Sequence, residues 1–321
     1  MKKSLLLVLS LVFALTLAAC GQNNNSETSG NAASNSPNEQ PSSSQPASET
    51  PKALSGSILA AGSTALQPLV EQVSQKFMAI SENSKIAITV QGGGSGGGLT
   101  QVQAGQADIG NSDIFAEEKF KDADADKAKE LVDHQVAVVA MAAVAHPDAG
   151  VDDLTKQQLI DIFTGKTTNW KDVGGIDQKI VIVNRPASSG TRKTFERYAL
   201  GAATEDLPGS IQEDSSGTVR KLVAETPGAI GYLALSYLDK SIKVLKLDGI
   251  EANADNVAAG TYPVWAYEHM YTKGEPNEIV KAFLDYMLSD EVQKTDVVEL
   301  GYIPANQMKV VRDAAGNVSN K

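Results

Sequence analysis

Three turns in this chain carry hydroxyl side chains between a strand-like run and a helical run. The first, Gly62-Ser63-Thr64, follows Ser57–Ala61 (SILAA) and precedes Ala65–Ile80, where Leu66, Leu69, Val73, Phe77 and Ile80 recur at helical spacing. Pro68 suits a first helical turn. The second spans Gly92–Gly98 around Ser95, after the β-branched run Lys85–Val90 (KIAITV) and before a short helix carried by Leu99, Val102 and Ala104. The third runs from Arg185 through Ser189, Gly190 and Thr191, after Lys179–Asn184 (KIVIVN) and before the helix Arg192–Leu200. The first N–H groups of a helix lack partners and its start is partly positive, so such turns are built to face an anion. Glycine permits close backbone approach. Hydroxyls and the Arg185 guanidinium suit a tetrahedral oxyanion. Each turn also has a plainer reading: Ser63 and Thr64 as helix caps, the glycines as a flexible linker, Arg185 as half of a surface ion pair. Recurrence of the pattern favours the anion. Asp113, closing Asp108–Asp113 (DIGNSD), is either part of such a site or a cap for the segment after it.

The elements that must position these turns read as α/β. A charged stretch, Ala116–Glu130, is expected as a surface helix, and Gln135–Ala145 (QVAVVAMAAVA) as a buried strand crossing between domains, ended by His146-Pro147. Leu154–Phe163 reads as an amphipathic helix and Thr164–Gly175, with Trp170, as turns. Helix is expected over Ser215–Glu225, and strands over Ala229–Leu233 and Ile242–Leu247. Tyr262–Tyr271 reads as a second crossing strand, and Glu275–Leu288 as a helix with Ile279, Phe283 and Met287 on one face. Gly301–Pro304 marks a late turn.

With 321 residues the chain has room for two domains. Residues 1–19 read as a signal peptide: Lys2 and Lys3, then the apolar run Leu5–Leu17, too short to span a membrane comfortably, then small residues. Leu17-Ala18-Ala19-Cys20 resembles a bacterial lipobox, which implies cleavage before Cys20 and a lipid on its sulfur. Cys20 is the one cysteine, which excludes an intrachain disulfide. Residues 20–53 form the lipidated cysteine and a tether, rich in Ser, Asn, Gln, Pro and Glu, that cannot bury enough surface to fold. The formal net charge is −11, with no basic run, which argues against a nucleic-acid partner. An acidic body does not exclude an anionic ligand, because local dipoles govern a buried site.

A serine hydrolase is the enzymatic rival. Gly93–Gly97 satisfies G-x-S-x-G between a strand and a helix, with His134, His146 and His269 downstream. None of the three histidines has a catalytic sequence context, and a glycine-only turn meets the pattern trivially. No Gly-Lys-Ser/Thr follows the glycines, so a nucleotide P-loop is excluded, and no metal-ligand spacing is present.

Taken together and in order, several segments resemble the phosphate-binding lipoproteins of bacterial phosphate ABC transporters, over roughly Leu54–Pro304. They are Ala61–Thr64, Gly92–Gly98 with Ser95, Ile109–Asp113, Ile162–Lys166 with Asn169-Trp170, Arg185 with Ser189-Gly190-Thr191, and Gly228–Tyr232. The resemblance implies a two-lobed, type II periplasmic-binding-protein-like fold, each lobe a mixed sheet flanked by helices, joined by two crossing hinge strands. Lobe one is expected at 54–137 plus 265–321 and lobe two at 138–264. Phosphate would lie between them. Thr64, the N–H of Ala65, Ser95 and Asp113 would come from lobe one, with Ser63 adjacent. Arg185, Ser189 and the N–H groups of Gly190 and Thr191 would come from lobe two. The resemblance further implies no catalysis, cofactor or metal, a monomer, an extracytoplasmic location at the outer face of the cell membrane through the lipid, and permease subunits as partners. One departure stands out: the family often has an acid two positions after the arginine, where this chain has Ala187.

Asp113 fits such a site once protons are counted. Hydrogen phosphate keeps a proton that a carboxylate can accept; sulfate has none and would meet Asp113 as an unpaired like charge, a penalty of several kcal/mol. Another oxyanion, sulfate or molybdate, is the rival ligand. The lipobox generates its own prediction. Cys20→Ser should abolish partition into a detergent phase while leaving phosphate affinity of the folded body unchanged; wild-type partitioning of the variant would remove the anchor.

Overall fold

The computed structural model describes residues 54–204 and 206–321. The expected signal peptide, Cys20 and the tether lie outside the described residues. Strand β1 (Ser55–Gly62) pairs in parallel with β2 (Lys85–Gln91) and β3 (Ile109–Ser112). Helix α1 (Gln67–Ala79) links β1 to β2, with Pro68 in its first turn, where an N–H would have no partner. It buries Leu69, Val70, Val73 and Phe77, each worth roughly 1.5–3 kcal/mol of apolar transfer. Ile80, expected on that face, lies just past the helix and is exposed. Helix α2 (Ser95–Gln103) starts at Ser95, so its first turn is made of the glycines themselves. Gly94, at φ 73°, supplies the left-handed residue that turns β2 into α2.

Strand β4 (Leu131–Ala145) is longer than Gln135–Ala145 and organises the molecule. Its first part pairs antiparallel with the last long strand, and from Met141 onward its partner changes to a strand of the other sheet. The far sheet is built from β5 (Val181–Asn184), followed by helix α3 (Gly190–Phe195), then the two-residue strand β6 (Ile211–Gln212), helix α4 (Ser216–Glu225) and strand β7 (Ala229–Ala234). Strand β5 runs parallel to β6 and β7, and β8 (Lys243–Val244) adds to β4. The return crossing is β9 (Trp265–Lys273), antiparallel to both β4 and β3. The full order is β2-β1-β3-β9-β4-β7-β5-β6, two lobes of mixed sheet sharing β4. Residues 136–145 of β4 are buried throughout, which is why they read as an unbroken apolar run and not an alternating one. Helix α5 (Glu278–Met287), capped by the Asn277 side chain, packs Phe283 edge-on against Phe77 at 5.4 Å. Among the described residues no helix is long and apolar enough to cross a membrane.

Three local expectations need correction. Ala116–Glu130 is two short helices, Ala116–Lys119 and Ala125–Lys129, separated by an extended Lys121 and by Asp122 at φ 51°. Burial of Phe120 and Ala128 with Leu99, Val102 and Ile114 overrides the helical propensity of the charged residues. Ile242–Leu247 is not one strand: Lys243–Val244 pairs with β4 and Lys246–Leu247 with Asp153–Leu154. The helix expected at Arg192 begins two residues earlier, at Gly190, and continues over Glu196–Leu200 as a wider π turn.

Close approach at the α2 start generates a paired prediction. A Cβ on Gly98 would lie 2.5 Å from the Ala61 carbonyl and 2.8 Å from that of Asn111, whereas one on Gly97 meets nothing within 4 Å. Gly98→Ala should cost about 1–3 kcal/mol through forced backbone shifts. Gly97→Ala should be neutral or gain up to about 1 kcal/mol of helix propensity. Urea titration measures both; equal midpoints would show that the β1–α2 contact is not tight.

Candidate anion-binding site

The carboxyl ends of β1, β3 and β5 converge, and the starts of α1, α2 and α3 meet there, at the place where open α/β sheets take their ligands. Asp113, one residue past β3, sits at the centre. Its Oδ1 accepts the Ser63 hydroxyl, its Oδ2 accepts the Thr191 hydroxyl at 2.9 Å, and its N–H donates to Ser95 Oγ at 2.9 Å. Ser63 Oγ in turn accepts the N–H groups of Ala65 and Leu66, both at 3.1 Å. Ser63, which holds the acid, thereby also ties down the turn that leads into α1.

The two lobes touch at this point. A Cβ on Gly190 would fall 2.1 Å from Ser95 Oγ and 3.1 Å from the Asp113 Cβ, so glycine alone fits. The Gly96 N–H donates to the Ser188 carbonyl at 2.9 Å. Ser189 caps α3 by accepting the Arg192 N–H at 3.2 Å. The N–H groups of Gly190 and Thr191, in the first turn of α3, have no intrahelical acceptor.

Arg185 is fully buried. One terminal nitrogen donates to Thr64 Oγ1 at 2.9 Å and to the Asp214 carbonyl; the other reaches Ser216 Oγ at 3.4 Å. Thr64 Oγ1 lies 3.0 Å from Ser216 Oγ and 3.1 Å from the Asp214 carbonyl, so this hydroxyl ties the α1 start to the α4 start. Backbone at Arg185 is pinned from behind: its N–H donates to Asn184 Oδ1 at 2.9 Å, which also accepts the Tyr232 hydroxyl at 2.6 Å. Burial pulls the Arg185 guanidinium below its ordinary value, opposed by Tyr232, Asp214 and Asp113, and a guanidinium remains charged through such a shift. Burial also pushes the Asp214 carboxyl up, against the pull of Arg185. Tyr237 donates to the Thr64 carbonyl at 2.8 Å; burial pushes its hydroxyl up to about 12, so it stays a donor.

All the residues singled out in sequence, Ser63, Thr64, Ala65, Ser95, Asp113, Arg185, Ser189, Gly190 and Thr191, therefore meet in one buried cluster. Sequence reasoning missed Asp214, Ser216 and Tyr237. A signal for the first two was present: Ser188-Ser189-Gly190-Thr191 recurs as Ser215-Ser216-Gly217-Thr218, again at a helix start. Asp214 also answers the question left by Ala187, since its carbonyl holds the guanidinium and its charge favours it. The hydrolase reading fails on geometry. Ser95 Oγ accepts a backbone N–H, while His134 is bonded to Thr272, His146 to the Asp148 N–H and His269 to Asp133.

Comparison with known proteins agrees with this arrangement. A model of the PBP superfamily domain matches residues 41–291. The phosphate-binding protein PstS of Bacillus subtilis is 52% identical over 318 residues, covering 99% of each chain. The chain belongs to the PstS family. A Clostridium perfringens substrate-binding protein solved with bound phosphate aligns with a TM-score of 0.71 and 33% identity, over 78% of this chain and 100% of that one. An ABC-type phosphate transport receptor from Vibrio cholerae aligns with a TM-score of 0.61 and 29% identity, over 77% and 99%. The arginine of this chain is anchored by a segment almost thirty residues further along, at Asp214.

Proposed function

We propose that this chain is the extracytoplasmic phosphate receptor of an ABC importer, a binding protein and not an enzyme. The observation that carries the reading is one acid, Asp113, set among donors in a buried cleft that also holds one arginine. Phosphate would lie between the starts of α1, α2 and α3. Thr64, the Ala65 N–H, Ser95 and Ser63 approach from lobe one, and Arg185, Ser189 and the N–H groups of Gly190 and Thr191 from lobe two. Several of these donors are bonded to one another across the cleft, which describes a closed arrangement whose partners a ligand would exchange for its own oxygens. Asp113 would accept the proton of hydrogen phosphate. The three relatives named above, each described as a phosphate-binding or phosphate-transport protein, support the substrate class.

The lobe boundaries follow the same reading: residues 54–137 with 265–321, and 138–264. Support comes from β4, whose partner changes at Met141. A lipid on Cys20, a monomeric body and docking onto permease subunits complete the proposal, resting on the lipobox resemblance and on the family.

Isothermal titration with phosphate and sulfate tests it; tight phosphate binding with weak sulfate binding is expected, and no phosphate binding overturns it. Arg185→Ala should lose about 2–5 kcal/mol of phosphate binding. Near-wild-type affinity would place the guanidinium in a purely structural role toward Asp214 and Thr64. Asp113→Asn exchanges part of the acceptor for a donor and removes a charge. Both changes help sulfate, while for phosphate they oppose each other. The phosphate-to-sulfate preference should therefore shrink at least about tenfold, or 1.4 kcal/mol. Competition titrations at one pH and constant ionic strength read that ratio, and an unchanged ratio would leave Asp113 as a tie between Ser63 and Thr191.

A further inference from the structure

One buried acid is not used by this binding scheme. Glu268 lies on the return strand β9, is fully buried, and neither of its carboxyl oxygens has a hydrogen-bond partner among the described residues. Buried polar atoms left unpaired are rare, and an ionised carboxylate without a donor is the costliest kind. The strand register shows what faces it. Met270 is opposite Asn111 and His269 opposite Ser112, which brings Glu268 level with Asp113 just past the end of β3.

None of the charged and hydroxyl groups that bear on Glu268 gives it a hydrogen. Asp113, which bears on Glu268 both by charge and by side-chain contact, is itself an acceptor, already holding Ser63 and Thr191. Tyr302, from the late turn Gly301–Pro304, also feels Glu268, but its hydroxyl is given to the Ala65 carbonyl. Arg185 acts on Asp113 and spends its terminal nitrogens on Thr64, Asp214 and Ser216. Two carboxyls in contact with no donor between them lack one proton, because like charges at that range cannot both be kept. Burial first, then the Asp113 charge and the contact with it, push the Glu268 carboxyl well above the usual carboxylate range.

We propose that Glu268 is a positioning residue for phosphate: it stays protonated and donates to Asp113, so that the pair carries one negative charge and Asp113 keeps its other lone pairs for the ligand's proton. This rests on the phosphate reading of Asp113. Binding a further anion beside the pair raises the demand for that proton. Wild-type affinity should accordingly fall as pH rises through the Glu268 titration, with the proton fully held, and the affinity fully present, below it.

The experiment compares phosphate titrations of wild type, Glu268→Gln and Glu268→Ala from mildly acidic to mildly alkaline pH. Glutamine donates without a titrating proton, and the ratio of wild-type to Glu268→Gln Kd cancels the ionisation of phosphate itself. That ratio should stay flat while Glu268 holds its proton and climb only where the proton is lost, by at most about tenfold per pH unit for a single proton. Glu268→Ala should bind more weakly than Glu268→Gln at every pH. Equal affinities of Glu268→Ala and Glu268→Gln overturn the proposal, while the wild-type titration independently tests phosphate binding. If the variants do not fold, infrared spectra of wild type labelled with 13C-glutamate decide: an isotope-shifted protonated-carboxyl band at neutral pH is expected, and its absence overturns the assignment.

Discussion

A charge placed in a cleft without water must be met there by partners fixed in advance. In this molecule one such charge, Arg185, is fully buried, and the rest of the cleft is arranged around it. Leaving a buried charge unpaired costs about 3–5 kcal/mol, a large part of a domain's stability. Here the guanidinium is met by a backbone carbonyl and two hydroxyls, and its carboxylate neighbours act at longer range. That arrangement compensates the cation without neutralising it by a direct ion pair. No carboxylate is bonded to the guanidinium itself, and Asp113 stands opposite as an acceptor. The N–H groups at the starts of the three helices add donors with no formal charge.

This constraint explains why the two lobes are built as they are. Three helix starts converge only if the strands that lead into them end close together, and β1, β2 and β5 lead into α1, α2 and α3. They belong to different halves of the sheet, so β4 and β9 must carry the chain across. Close approach then dictates glycine at Gly98, against the β1 and β3 backbone, and at Gly190, against Ser95 and Asp113. Neither position is a loop that happens to be flexible. The run Gly92–Gly98, which as bare sequence could pass for a linker, instead supplies the first turn of α2, because nothing with a side chain fits at Gly98.

What was legible in the sequence was local. Strand, turn and helix follow one another within thirty residues, so period and turn chemistry sufficed for β1–α1, for β2–α2 and for β5–α3. Asp113 enters the site through the resemblance carried by Ile109–Asp113, since the four residues of β3 are too short a pattern to read by periodicity. What was not legible depends on pairing across the chain. Tyr237 donates to a carbonyl 173 positions away, and no pattern near it marks that role. Glu268 sits in an aromatic, apolar run, where a lone acid reads as a strand edge; only the register with β3 brings it level with Asp113. The broken helix over Ala116–Glu130 failed for the same reason, since the partners that bury Phe120 come from α2 and β9.

Ala187 shows how a site can keep its electrostatics while moving the group that supplies them. An acid two positions from Arg185 would sit on the same turn and hold the guanidinium through a local contact. In this chain the support comes from the segment before α4, where Asp214 gives its carbonyl to the guanidinium and Ser216 its hydroxyl. A carbonyl accepts a hydrogen bond without adding a full negative charge, so the arginine is oriented but less screened than it would be beside a bonded carboxylate. The Asp214 carboxyl remains near, raised by its own burial, and one of its oxygens has no partner among the described residues. The same segment also bonds Thr64, from the opposite lobe. Anchoring of the cation and contact between the lobes therefore share one set of hydrogen bonds. In a turn-borne salt bridge the two would be separate, and lobe movement would leave the arginine's partner unchanged. Here the approach of Thr64 completes the arginine's coordination, which couples closure of the cleft to the orientation of this buried cation.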